Sequence, residues 1–144
     1  MSAGYSGTPL PRKLGIKEGH SVATLGAPTH FQSLLDPLPA SVRVRSDLRA
    51  KGLFDVLVAF VRSEAELRSR FDRARGRLDP FGGLWVAWPK QSSALATGLR
   101  ESHVRSYGLS TGLVDNKICA IDQNWSGLRF VVRKADRPRR GRDR

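Results

Sequence analysis

Four residues are of types that could hold or act on a ligand: Trp88 and Lys90, which flank Pro89, and Asp115 and Lys117, two apart on the approach to an apolar run. An indole face and an ammonium beside a fixed turn could stack and pair with an anionic or nucleotide-like ligand. An equally economical reading puts Trp85 and Trp88 in the core and Lys90 in solvent. Asp115 and Lys117 share one side of an extended chain, so either could face the same rim as Lys90. A carboxylate there could serve as a general base, although a turn with Asx hydrogen bonds explains Asp115 and Asn116 more simply. No catalytic residue is assigned. A nucleophile elbow, a phosphate-binding G-x-x-x-x-G-K-[ST] loop and paired carboxylates at catalytic spacing are all missing. Cys119 stands alone between Ile118 and Ala120, which excludes an internal disulfide and reads as a small buried hydrophobe. His20, His30 and His103 supply no zinc-type spacing, so neither a metal nor a cofactor is expected.

Charge narrows the partners. The formal net charge is +12, and residues 133–144 carry seven cations against two carboxylates, 7 − 2 = +5, which leaves +7 for the rest. An Arg-rich end interrupted by Pro138 and Gly141 has nothing apolar to bury and is expected to be a disordered tail. Through Arg139, Arg140, Arg142 and Arg144 it could hold nucleic-acid phosphates weakly and in a salt-sensitive way. The plainer reading is a solubilising terminus. A protein partner is the other candidate, with Trp125 either an exposed anchor for it or, more simply, a cover for the sheet. No apolar run nears the ~20 residues of a membrane span, and residues 1–11 lack the apolar stretch of a secretory signal. The expectation is a cytoplasmic protein with no membrane partner.

These residues need a scaffold, and 144 residues suffice for one core. Residues 1–15, punctuated by Gly and Pro and anchored by Tyr5, Leu10 and Leu14, read as an arm packed on a domain at 16–134, with the basic tail at 135–144. Val22–Leu25 suits a buried strand ending at Gly26. Thr29 can cap a short helix through Phe31, Leu34 and Leu35 that Pro37 and Pro39 stop. Val42 and Val44 alternate with arginines, as on a strand near an edge. Phe54–Val61 is continuous and Val-rich, as a central parallel strand should be. Ser63 and Glu66 form a capping box, and Leu67, Phe71, Ala74 and Leu78 then make one helical stripe. Asp79 to Gly83 reads as the turn that ends it. Leu84–Trp88 is the next strand, and residues 93–107 suit a weaker helix. Lys117–Asp122, a tight turn at Asn124–Gly127 and Leu128–Arg133 must be antiparallel, because a parallel return needs a long crossover. The fold class is therefore α/β, a Rossmann-like, mostly parallel sheet that finishes in an antiparallel hairpin.

That architecture resembles class I methyltransferases, shortened by at least one helix. "LGIKEGHSVATLGAPTHF" resembles their Gly-bearing turn, first strand and G-x-G-x-G loop; "FDVLVAFV" resembles their fourth strand and "LDPFGGLWVAW" their Gly-Gly turn and fifth strand. Laid against the pattern, the acidic position is Thr24, the first loop glycine is kept as Gly26, and the other two become Pro28 and His30. Pro28 offers no N–H and His30 adds bulk where the resemblance implies a bare peptide surface for the cofactor. Asp47, past the second strand, could reach a ribose hydroxyl as the family's acidic residue does, or simply open a turn. "YSGTPLPRKLGIKEG", "LWVAWPK" and "TGLVDNKICAIDQNWSGLRFVVR" resemble a family of small bacterial proteins known as domain of unknown function 3052, a likeness that implies no catalytic residue. The functional expectation is a noncatalytic ligand- or protein-binding module on a degenerate methyltransferase-like scaffold. The alternatives are a divergent nucleotide- or S-adenosylmethionine-dependent enzyme, and a nucleic-acid-associated protein using its basic tail.

Overall fold

A computed structural model describes residues 7–139. In chain order the elements are α1 (Leu10–Lys13), β1 (Ser21–Leu25), α2 (Phe31–Leu34), β2 (Arg43–Arg45), β3 (Phe54–Phe60), α3 (Glu64–Arg75), β4 (Leu78–Pro89), α4 (Glu101–Ser110), β5 (Val114–Ala120) and β6 (Trp125–Val131), followed by a 3-10 turn, Lys134–Asp136. They build one six-stranded sheet in the order β2-β1-β3-β4-β6-β5. β2, β1, β3 and β4 run parallel, and β6 is antiparallel to both β4 and β5. The chain leaves β1 for β2 on one side and returns to β3 on the other, so the winding reverses between β1 and β3. Open α/β sheets bind ligands at the carboxyl ends of strands at such a reversal.

Both faces of the sheet are covered, which is why its central strands are mostly apolar, with Asp55 and Asp79 near their amino-terminal ends. On one face α3 and α4 lay Leu67, Phe71 and Val104 against Leu57, Val86 and Phe130. Phe71 meets Phe130 edge-on at 5.3 Å and Tyr107 at 5.4 Å, geometries that aromatic quadrupoles favour. On the other face the cover is short. Leu10 and Leu14 of the arm, with Phe31 and Leu35 around α2, seal Phe60, Trp85 and Trp125. The indole N–H of Trp85 donates to the Leu14 carbonyl at 3.0 Å, a buried bond that fixes the arm to the sheet. Beyond β6 the chain stays attached, as Arg137 donates from Nε to the Val132 carbonyl. The expected disordered tail from residue 135 thus begins as a turn, and residues 140–144 lie outside the described residues.

Several elements sit elsewhere than their sequence suggests. Asp79 to Gly83 belongs to β4 rather than to a turn. Its two glycines face a backbone and an arginine side chain that leave no room for a Cβ. The helix expected over 93–107 begins at Glu101; Ser93 caps the loop end at Asn124 (2.8 Å) and Gln91 reaches the Leu99 carbonyl (3.1 Å) instead. The hairpin turns earlier than Asn124–Gly127. Asp122 accepts the N–H groups of Asn124 and Trp125 at 2.8 and 2.9 Å, which brings Trp125 into β6 as a buried cover. Gly127 is mid-strand because the Trp85 ring and Ile121 pack 3.1 Å from where its Cβ would stand.

Cys119 is partly buried on the edge strand β5. Burial pushes its thiol upward, only partly opposed by the charges of Lys13 and Lys117. A raised value means less thiolate at any given pH. Iodoacetamide labelling of the native protein at neutral pH is therefore expected to be slow, to speed up on alkaline titration, and to reach the free-cysteine rate once the chain is unfolded. Native labelling as fast as unfolded labelling would contradict this. Among the described residues no helix is long and apolar enough to cross a membrane, and no group of three or more His, Cys, Asp or Glu side chains could hold a metal.

Candidate functional site

The corner where the winding reverses is built from the loop after β1 and the β3–α3 junction. Gly26 ends β1 with φ at +69°, a left-handed conformation that glycine takes without penalty. Opposite it, β3 ends at Phe60 and α3 starts after Ser63, whose hydroxyl accepts the Glu66 N–H at 3.1 Å. Glu66 in turn accepts the N–H of Arg62 at 2.8 Å, one residue before the position a strict capping box would use. Long side chains on a helix lean toward its N-terminus, so Arg70, on the second turn, reaches back to the strand end. Its guanidinium donates to the Phe60 carbonyl and pairs with Glu66 at 3.5 Å. A Cβ on Gly26 would lie 2.3 Å from Arg70 Nη1 and 3.2 Å from the Phe60 oxygen. The space that the missing Cβ leaves is thus filled from within by the chain's own cation.

The rest of the loop closes the corner further. Pro28 presents a carbonyl, which accepts the Phe31 N–H at 3.0 Å. His30 turns away to Asp122, with Nε2 to Oδ2 at 2.8 Å. Thr24, at the expected acidic position, is buried. Arg62 lies over the Trp125 ring at 5.3 Å, and its carbonyl accepts the Thr97 hydroxyl at 2.7 Å, tying the loop before α4 across the same rim. The residues present do not fit an adenosyl cofactor in the family's manner. The peptide surface at Gly26 is occupied by a guanidinium, and the next two positions of the loop offer a proline and a histidine engaged elsewhere.

Of the candidate ligand-binding residues Gly26, Asp47, Trp88, Lys90, Asp115 and Lys117, Gly26 is the one built into this corner. Trp88 is 4% exposed and packs with Leu99 and Val104 in the core under the loop that precedes α4. It is a core residue rather than an aromatic surface at the rim. Lys90 follows it, and its backbone N–H donates to the Asn124 carbonyl at 2.8 Å. Asp47 lies just past β2 and accepts the Arg49 N–H at 3.0 Å, a local turn. Asp115 and Lys117 do not share the rim with Lys90. Asp115 pairs across β6 with the level of Leu84, whereas Trp88 is level with Ala120. Four steps of β4 separate those two levels, on the order of 13 Å along the strand. Asp115 instead binds the Arg105 guanidinium of α4 at 3.0 Å, which leaves it an ion-pair partner rather than a base. A register shift between Asp115 and Lys117 also sends the two side chains to different surroundings. Arg139 is exposed, and Arg140, Arg142 and Arg144 lie outside the described residues. Arg70 went unnoticed in the sequence. Its only signal is the i, i+4 spacing from Glu66 on the flank of the Leu67–Phe71 stripe.

No family model matches the sequence, and no curated protein matches it either. Solved structures do. A possible exported protein from Bordetella parapertussis superposes with a TM-score of 0.60 at 13% identity over 85% of this chain, which spans 64% of that protein's length. Magnesium protoporphyrin IX methyltransferase from Synechocystis PCC 6803, solved with bound S-adenosylmethionine, gives a TM-score of 0.59 at 13% identity over 80% of this chain and 71% of its own. Precorrin-6y C5,15-methyltransferase from Geobacter metallireducens gives 0.60 at 9% identity over 85% of both chains. At such identities the likeness is one of fold, and the fold of this chain is that of the Rossmann-like class I methyltransferases.

Proposed function

We propose that this chain is a noncatalytic binding module on a methyltransferase-like scaffold. The observation that carries the reading is Arg70, which fills the corner between β1 and β3 and satisfies the Phe60 carbonyl that a ligand would otherwise meet. The strings that resemble domain of unknown function 3052 suggest kinship with that small-protein family, although no family model matches the sequence. A second reading, a divergent S-adenosylmethionine-dependent enzyme, is the one that the structural neighbours favour, since one is named as an S-adenosylmethionine-dependent methyltransferase and two others, one of them a methyltransferase, hold that cofactor. It would require Arg70 to leave the corner.

Isothermal titration separates the two. The native protein is expected to give no saturable S-adenosylmethionine binding up to millimolar concentration, and Arg70→Ala, which empties the corner, is expected to gain at most weak binding. Micromolar binding by the native protein would overturn the module reading, with or without turnover. The basic tail as a nucleic-acid contact is a separate proposal; truncation after Asp136 should weaken DNA retention and flatten its salt dependence.

A further inference from the structure

At the opposite, amino-terminal end of the sheet lies a cleft of about 500 Å³ between α1, the start of β1 and the start of β4, which Lys117 and Arg129 reach from β5 and β6. We propose that this cleft binds a small polyphosphate anion, such as the diphosphate of a nucleotide. The inference is independent of the reading of the β1–β3 corner.

Arg129 is the reason. Its guanidinium lies flat on Gly83, where a Cβ would stand 2.3 Å from Nε and 2.7 Å from Nη2. Its one protein hydrogen bond among the described residues is a long one, 3.4 Å to Asn116 Oδ1. Most of its five donors are engaged by no described protein group and stay accessible from the cleft, where the oxygens of an anion would accept from them. Burial, and secondarily Arg137, lower its affinity for its proton. The surroundings do not supply the missing anion. Asp55 is committed to the Ser21 N–H at 2.9 Å and Asp79 to the Phe81 N–H at 2.8 Å. Lys17 and Lys117 line the same cleft, so with Arg129 three cations face two carboxylates; Lys13 lines it too, but its ammonium donates to the Ala120 carbonyl at 2.8 Å. His20 accepts the Lys17 N–H on Nδ1 at 3.1 Å, which leaves Nε2 as the neutral ring's donor. A planar fork in a low-dielectric wall, ringed by point cations, suits the oxygens of a phosphate chain. The volume lies in the range of small-ligand sites.

The test is titration of the full chain with inorganic pyrophosphate and with ADP at near-physiological salt, read by calorimetry and by thermal shift. Saturable binding and a raised melting temperature are expected for both. Arg129→Met keeps an aliphatic stem at this position but removes the guanidinium that lies on Gly83, and Lys17→Met changes an exposed residue outside the core, so folding of each is checked by circular dichroism. Each should weaken binding about tenfold or more, the loss of one charge-assisted contact. Arg45→Gln with Arg49→Gln removes two exposed cations elsewhere and should leave affinity within about twofold at that salt. Equal weakening by the control pair, unchanged affinity in Arg129→Met, or no saturable binding of either anion would overturn the proposal. S-Adenosylmethionine binding, whatever its outcome, tests the other end of the sheet and leaves this one standing.

Discussion

Trp85→Ala is expected to lower the unfolding free energy by about 3 to 5 kcal/mol, the range for removing a large buried aromatic. Trp85 is fully buried in β4 and packs between the sheet and the arm. Its loss removes the apolar contact and the bond to Leu14 together. The arm has little else of its own. α1 is four residues long, too short to persist without packing. Two consequences should therefore appear together: a lower urea midpoint, and faster tryptic cleavage at Arg12 or Lys13 under conditions where the sheet is still folded. Trp85→Phe separates them, because it keeps most of the buried area but leaves the Leu14 carbonyl without its donor. It should cost less and still loosen the arm. An unchanged midpoint in Trp85→Ala would mean that the arm and the sheet do not share one core.

What the sequence discloses depends on how far its signals reach along the chain. β3 and α3 are legible because their patterns are local: a continuous apolar run needs two covered faces, and Ser63 followed by a stripe at Leu67, Phe71 and Ala74 needs a capped amphipathic helix. The terminal hairpin is legible as antiparallel from connection length alone, yet its turn is misplaced. Asn124 to Gly127 has the composition of a turn, whereas Asp122 makes the turn with its side chain and leaves the glycine for packing. Of the two readings open for Trp88, rim or core, the core is the one it takes. The loop before α4 folds over it through Leu99, and nothing in the residues around Pro89 announces that cover. Arg129 and the cleft at the amino-terminal end are not legible at all, since each joins residues that no periodicity connects, and Arg70 shows only as the i, i+4 partner of Glu66. The direction of a helical side chain puts Arg70 at the strand end, and the β4–β6 register puts Arg129 level with Trp85 and beside Gly83.

Gly82→Ala should cost about 3 kcal/mol, the upper end of the usual penalty for forcing volume into a packed site. Read in the sequence, Gly82 and Gly83 look alike, two residues of one turn. In the sheet they face different neighbours. A Cβ at Gly82 would lie 2.4 Å from the carbonyl oxygen of Asp55 and 3.0 Å from its carbonyl carbon, both backbone atoms of β3. These cannot swing aside, so β3 and β4 would have to part where their register already shifts, between Phe54 and Val56. The same movement would drag on Asp55, whose carboxylate holds the start of β1 through Ser21. At Gly83 the atoms in the way belong to the end of a flexible side chain, Arg129. Gly83→Ala should accordingly spare most of the stability, displace the guanidinium and weaken pyrophosphate binding, while Gly82→Ala should lower the urea midpoint first and affect binding only as a consequence of unfolding. Equal stability losses in the two variants would show that the close approach of the strands at Asp55 does not distinguish these glycines. The pair would then have to be explained by the flexibility of the segment, as a turn would be.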